Sequence, residues 1–445
     1  MLSLLNTLGK QKKTLSANGL LAIVKDVFNR VPVIKKSHKG KKATISMTDC
    51  LMSALAMFNL KSPSLLSFDK GRMSKTIENN LKKLFGIKKV PSDTYMREKL
   101  DEVNPELIRT CFTKIFEAIQ RGKLLEKYLF MDSYLLLIDG SDVYKSKKIN
   151  CPSCCETIDS KKEKVYYHQV FTGVIAHPDN KQVIPLCPEM ISKSDGSEKN
   201  DAERWAMQRF LIKFKKEHPK LKVTIVADAL FANAPCVNEI KDYGYHFIIN
   251  AKPEGNRSLF KRINQLEMQS KNIQIEKNSY NFRYVNKVLL NDTKDAPEVN
   301  FLECKATEVK GKKTKIITFT WITDHEITDD NVYLLMRGGR SRWKVENETF
   351  NTLKNQGYEL EHNFGHGNKY LLSIFIFLML LAFLIDQIQE EECKLFQAAH
   401  KKTISLRSLW EKMRCYFYVC KLNTWEELFN AVIQDISFIF KYNTS

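Results

Sequence analysis

Leu135-Leu136-Leu137-Ile138-Asp139 is an apolar run closed by a carboxylate, and its reading decides the fold. A short apolar run of this kind is a strand pattern. The same arrangement returns downstream in Val223-Thr224-Ile225-Val226-Ala227-Asp228. Residues 169–176 and 182–186 read as two further strands. A helix with a polar start, Asn200-Asp201-Ala202-Glu203-Arg204-Trp205, runs to about residue 214. A helix at 235–241 and a strand at 245–249 complete the block. Three strands, helix, strand, helix, strand is an α/β layout with a mixed sheet.

Around this block the pattern changes. Residues 1–130 read as a helical region, with periodic segments at 20–28, 48–58, 77–84 and 106–119. Pro91-Ser92-Asp93 marks a helix start. The basic run Lys35-Lys36-Ser37-His38-Lys39-Gly40-Lys41-Lys42 is a candidate phosphate-binding loop, or else a solvated lysine loop. Residues 131–250 form the first part of the α/β core, and 251–330 read as a β-rich insertion. Its strand character from about 270 to 323 is broken by a loop, Asn291-Asp292-Thr293-Lys294-Asp295-Ala296-Pro297, and by a hairpin turn, Lys310-Gly311-Lys312-Lys313. The core resumes at 331–390, and 391–445 is helical. No internal repeat is visible.

The chain has 445 residues, enough for two or three domains. Lys and Arg number 70 against 51 Asp and Glu, a formal net charge of +19. That excess suits a polyanionic partner, nucleic acid first, although a lysine-rich proteome would produce the same count. The 11 cysteines lie mostly in apolar segments with no paired framework, the usage of a reducing cytoplasm. Met1-Leu2-Ser3-Leu4-Leu5 puts apolar residues before the lysines, the reverse of a secretory signal. The longest apolar run, 371–385, falls short of the roughly 18–20 residues that span a bilayer, so it is expected to be a buried helix. No glycine-rich nucleotide loop is present, so no nucleotide cofactor is expected.

A third carboxylate, Glu346, lies in Arg342-Trp343-Lys344-Val345-Glu346. Read as a helix, Arg342, Glu346, Phe350 and Leu353/Lys354 share one stripe. Lys344, Glu348, Asn351, Thr352 and Asn355 share a polar face. Glu346 is therefore expected toward the core and Glu348 toward solvent. A core-facing carboxylate is costly unless it meets a metal or a cation, and Arg342 one turn earlier is the alternative cation. Asp139 and Asp228 also have plain readings, as a turn before Gly140-Ser141 and as a helix cap.

Over roughly residues 92–385 the chain resembles the DDE transposases of the bacterial insertion-sequence class. Their signature is Tyr-x2-Arg-x3-Glu-x6-Lys. Arg342 and Glu346 match it, Lys354 matches after a one-residue expansion, and the tyrosine position falls on Gly339. The strings at 227–233, 347–354 and 361–367 also look like this group. The resemblance implies a ribonuclease-H-like core interrupted by a β-rich insertion. It implies Asp139, Asp228 and Glu346 as catalytic ligands of two Mg²⁺ ions, with Mn²⁺ as a substitute. It implies hydrolysis at transposon ends followed by strand transfer. Arg342 and Lys354 would hold phosphates, and Trp321 would stack on a flipped base. The partners would be double-stranded DNA, in terminal inverted repeats and target, and a second copy of the chain, acting on the nucleoid in the cytoplasm. A nuclease of the same core, or a non-catalytic DNA-binding derivative, are the alternatives, and a membrane protein is the weakest reading.

Three other groups of residues carry candidate chemistry. Cys151-Pro152-Ser153-Cys154 supplies two of the four ligands zinc needs. His168 and Cys187 are the nearest additions at no familiar spacing, which favours a loop with free thiols. His362 and His366 read as loop residues beside Gly365 and Gly367. Asp195, Glu198, Asp201 and Glu203 read as acids favoured by a helix N-terminus, or as a set standing behind the metal ligands.

Overall fold

Strands and helices form largely where the apolar patterns place them. In a computed structural model the described residues are 13–32, 45–195, 199–311 and 313–435. The lysine run at 35–42 lies outside them. The strands are β1 (Leu129–Phe130), β2 (Ser133–Ser146), β3 (Cys155–Ile158), β4 (Lys164–Ala176), β5 (Ile184–Pro185), β6 (Glu189–Ile191), β7 (Val223–Ala227), β8 (His246–Asn250), β9 (Gln269–Ile275), β10 (Asn278–Leu289), β11 (Glu298–Lys310) and β12 (Lys313–Thr323). The fold is α/β with a mixed sheet. The chain divides into two units, one of Leu125–Ser141 and Gln169–Phe350, the other of Met1–Leu124, Asp142–His168 and Asn351–Ser445.

The first of these units is built on the sheet. Its strand order is β4-β2-β7-β8-β12-β11-β10-β9. β2, β7 and β8 run parallel, which is why they are continuously apolar: Leu135 to Ile138 and Ile225 to Ala227 are wholly buried. β1 pairs with β2, while β5 and β6 pair with β4. The helix Lys199–Glu217 presents Ala206, Met207, Phe210, Leu211 and Phe214 as a buried stripe. A Cβ at Gly173 would lie 2.5 Å from the Phe210 ring, so this close approach of helix to strand needs glycine. The insertion adds four antiparallel strands, β12 to β9, to the edge of the sheet at β8.

The second unit is mainly helical. Ser16, Ser46, Ser92 and Ser405 each cap a helix by accepting a backbone N–H three residues on. Leu371–Glu392 is a helix of 22 residues, longer than the apolar run suggested. It is long and apolar enough to cross a membrane, but 89% of its most apolar window is buried by the chain itself. Within it Asp386 pairs with buried Lys61 and accepts a hydrogen bond from Tyr358 at 2.6 Å. The Lys61 ammonium lies 4.0 Å from the Trp410 ring centroid. The pairing satisfies two charges that would be costly alone.

Candidate active site

The parallel register of β2 and β7 sets the first two carboxylates side by side. Leu137 is level with Val226, so extending the register by two places brings Asp139 level with Asp228. Asp228 follows the end of β7, and its Oδ1 accepts the Leu230 N–H at 2.9 Å. Asp139 is not at a strand end as its apolar run suggested. β2 continues to Ser146, because the Gly140-Ser141 pair stays extended instead of turning. The last paired position with β7 is Leu137, so Asp139 stands just beyond the ladder.

Glu346 arrives from a different element. Residues Val345–Phe350 form a π-helical turn, not a regular α-helix. Phe350 is buried as expected, but the wider turn brings Val345 and Thr349 to its side in place of Glu346. Glu346 is therefore exposed, not core-facing, with 49% of its side chain accessible. Lys344 and Thr352, expected on the polar face, are buried instead. The Lys344 ammonium donates to the Asn180 carbonyl at 2.7 Å.

Arg342 joins the acids. Its guanidinium donates to Glu346 Oε1 at 2.7 Å and lies 3.5 Å from Asp139 Oδ2. Burial pushes the Asp139 carboxyl up to about 6, Asp228 and Glu346 add to the rise, and Arg342 and the Gly140 amide oppose it. These three acids thus share one electrostatic environment with surplus negative charge. That donor set fits divalent cations bound through oxygen, Mg²⁺ or Mn²⁺. The two described groups whose ligand atoms all fall within 4.8 Å lie elsewhere in the chain. Glu203 adds a further acid: it is buried past the first helical turn, and a Cβ at Gly140 would lie 2.9 Å from its carboxyl carbon. A helix-dipole role does not explain that placement. Asp195 is engaged by Arg209 at 2.6 Å, while Glu198 is outside the described residues and nothing is described of the Asp201 side chain.

One of the expected DNA contacts, Trp321, is placed differently. Trp321 is 1% exposed, with its ring stacked on Phe319 at 5.6 Å. Its position on β12 faces the core, where it cannot stack on a base. Its packing also accounts for the missing signature tyrosine. A Cβ at Gly339 would lie 2.5 Å from Trp321 Nε1, so position 339 has no room for any side chain. Lys354, in the mainly helical unit, forms an ion pair with Glu361 at 2.9 Å.

Of the two partners expected for the Cys-x2-Cys segment, His168 is placed with it. Cys187 plays no part. Cys151, Cys154, His168 and His366 have ligand atoms that all lie within 4.8 Å of one another. Spacing alone could not find His366, because it lies 198 residues beyond His168. No protein-family model matches the chain, and no curated protein matches it.

Proposed function

We propose that the chain is a metal-dependent DNA transposase with a ribonuclease-H-like core. The observation that carries this reading is the convergence of Asp139 and Asp228, on adjacent parallel strands, with Glu346 on a later helical turn. The strand order β4-β2-β7-β8, with β6 on β4, supports the core assignment. The net charge of +19 supports a polyanionic substrate.

In this reading Asp139, Asp228 and Glu346 hold two Mg²⁺ ions, which would supply an activated water or 3′-hydroxyl and neutralise charge at the phosphorus in flight. The protein's part is positional. β2 and β7 fix two carboxylates at the sheet, and Glu346 approaches from the exposed face of its turn. The half-buried Asp139 carboxyl is held up at about 6 even beside Arg342, so a bound divalent cation would favour its charged form. Arg342 balances the acids and can turn to a phosphate when they are otherwise engaged. Joining two ends requires two copies of the chain, working at the nucleoid in the cytoplasm.

The test uses a plasmid carrying the DNA that flanks the gene, incubated with purified protein and Mg²⁺. Cleavage at both flanks, followed by joining to a second plasmid, is expected. Binding without cleavage, or cleavage that survives Asp139→Asn, would refute the reading.

A further inference from the structure

We propose that Cys151, Cys154, His168 and His366 form a structural zinc site. The spacing of the donors carries the proposal. Tetrahedral zinc with Zn–S about 2.3 Å and Zn–N about 2.0–2.1 Å requires ligand edges of roughly 3.8 Å for S···S, 3.3 Å for N···N and 3.5 Å for S···N. Cys151 Sγ and Cys154 Sγ are 3.8 Å apart. The Nε2 atoms of His168 and His366 are 3.3 Å apart. The mixed edges are 3.4 Å for Cys151 to His168, 3.3 Å for Cys154 to His168 and 3.2 Å for Cys154 to His366. Five edges of one tetrahedron are thus at zinc length, and the sixth is within 4.8 Å.

The fold builds this arrangement from three segments of one unit. Cys151 and Cys154 sit in the loop before β3, where the Cys151 N–H donates to Cys154 Sγ at 3.3 Å. The β3–β4 register pairs Cys155 with Tyr167, and the next place along sets Cys154 level with His168. His366 comes from the loop before the Leu371–Glu392 helix. Asp101 holds that loop, accepting the N–H groups of Asn368, Lys369, Tyr370 and Leu371 at 2.9–3.0 Å. Two thiolates and two imidazoles in tetrahedral array select zinc over Mg²⁺ or Ca²⁺. With no water or substrate needed as a fourth ligand, the site is closed and structural. Its effect is to cross-link the hairpin to a loop 198 residues away.

The experiment measures metal in the full-length protein, purified without chelator, and replaces it with Co²⁺. We expect about one zinc per chain, and a Co²⁺ form showing the absorption of a tetrahedral ion with thiolate charge transfer. His366→Ala should lose the zinc, whereas His366→Cys should retain it and strengthen the charge-transfer band. Asp139→Asn should keep full zinc, which separates this site from the carboxylates. Folded wild-type protein that takes up neither zinc nor tetrahedral Co²⁺ would overturn the proposal. So would full zinc retention in His366→Ala together with Cys154→Ser. If those variants do not fold, thiol-blocking of the wild type decides: release of about one zinc as Cys151 and Cys154 react is expected, and no release overturns the site.

Discussion

The carboxylate cluster and the cysteine–histidine cluster differ in how closely the fold draws their ligands together. Arg342 links Asp139 to Glu346, and Asp228 and Glu346 both raise the Asp139 carboxyl, while the thiols and imidazoles pack to within 4.8 Å. The cause is charge. Carboxylates repel at close range unless a cation intervenes, and Arg342 is the cation present. Burial pushes the Cys154 thiol up to about 12 and, with His366 nearby, pushes His168 down to about 4, so both are neutral near pH 7 and can approach without repulsion. The Asp139 carboxyl is therefore costly to the fold, whereas the cysteine–histidine group packs without that cost.

The largest effect that tests this contrast is catalytic. Asp139→Asn, Asp228→Asn and Glu346→Gln should each lower Mg²⁺-dependent end cleavage by at least about a thousandfold, roughly 4 kcal/mol of barrier, with no loss of thermal stability. A single-turnover cleavage assay beside a thermal melt measures both. Variants that unfold instead would make the acids structural and erase the contrast.

Trp321→Ala should do the opposite. A buried tryptophan cut to alanine costs about 3–5 kcal/mol of stability, read as a lowered denaturation midpoint. Cleavage by the fraction still folded should slow equally at the first nick and at later steps. A selective defect at a later step would restore a DNA-stacking role. Gly339→Tyr should also destabilise, since the new side chain meets Trp321.

Asp139 gives a pH-dependent difference of intermediate size. Its folded pKa is about 6, above the unfolded value near 4, so the folded state binds the proton more tightly. Its contribution to stability is most favourable below the unfolded value and is lost as pH rises through about 6. In metal-free buffer, wild type should therefore gain on Asp139→Asn as pH falls from 7 to 4, by on the order of 2–3 kcal/mol. Parallel melting curves for the two proteins across that range would show that burial does not burden this carboxylate.

The smallest effect belongs to Glu348→Gln. It should change stability by no more than about 0.5 kcal/mol and leave cleavage within a few-fold of wild type. Loss of activity matching that of Glu346→Gln would mean that the π-helical turn presents the other glutamate.

How much was legible varied with the range of the interaction. The α/β class followed from apolar runs and helical stripes, because these report local burial: β7 spans the run 223–227, and the helices at 47–59 and 106–121 begin and end close to their periodic segments. Asp139 and Asp228 could be picked out as acids closing such runs. The continuation of β2 past Gly140 could not be read, since Gly-Ser is compatible with both a turn and a strand. Nor could the face of Glu346, because a π turn leaves no mark in a pattern read at 3.6 residues per turn.

Sequence by itself determined the positive charge, the alternation of strands and helices, and which residue types could serve as ligands. Only the tertiary structure decided their company. It brought His366 to a hairpin far upstream, buried Trp321 against Gly339, and set Arg342 between Asp139 and Glu346. The reason is physical: periodicity records what each residue faces locally, whereas ligand geometry depends on strand register and on loops fixed by groups such as Asp101, whose partners lie more than 260 residues away.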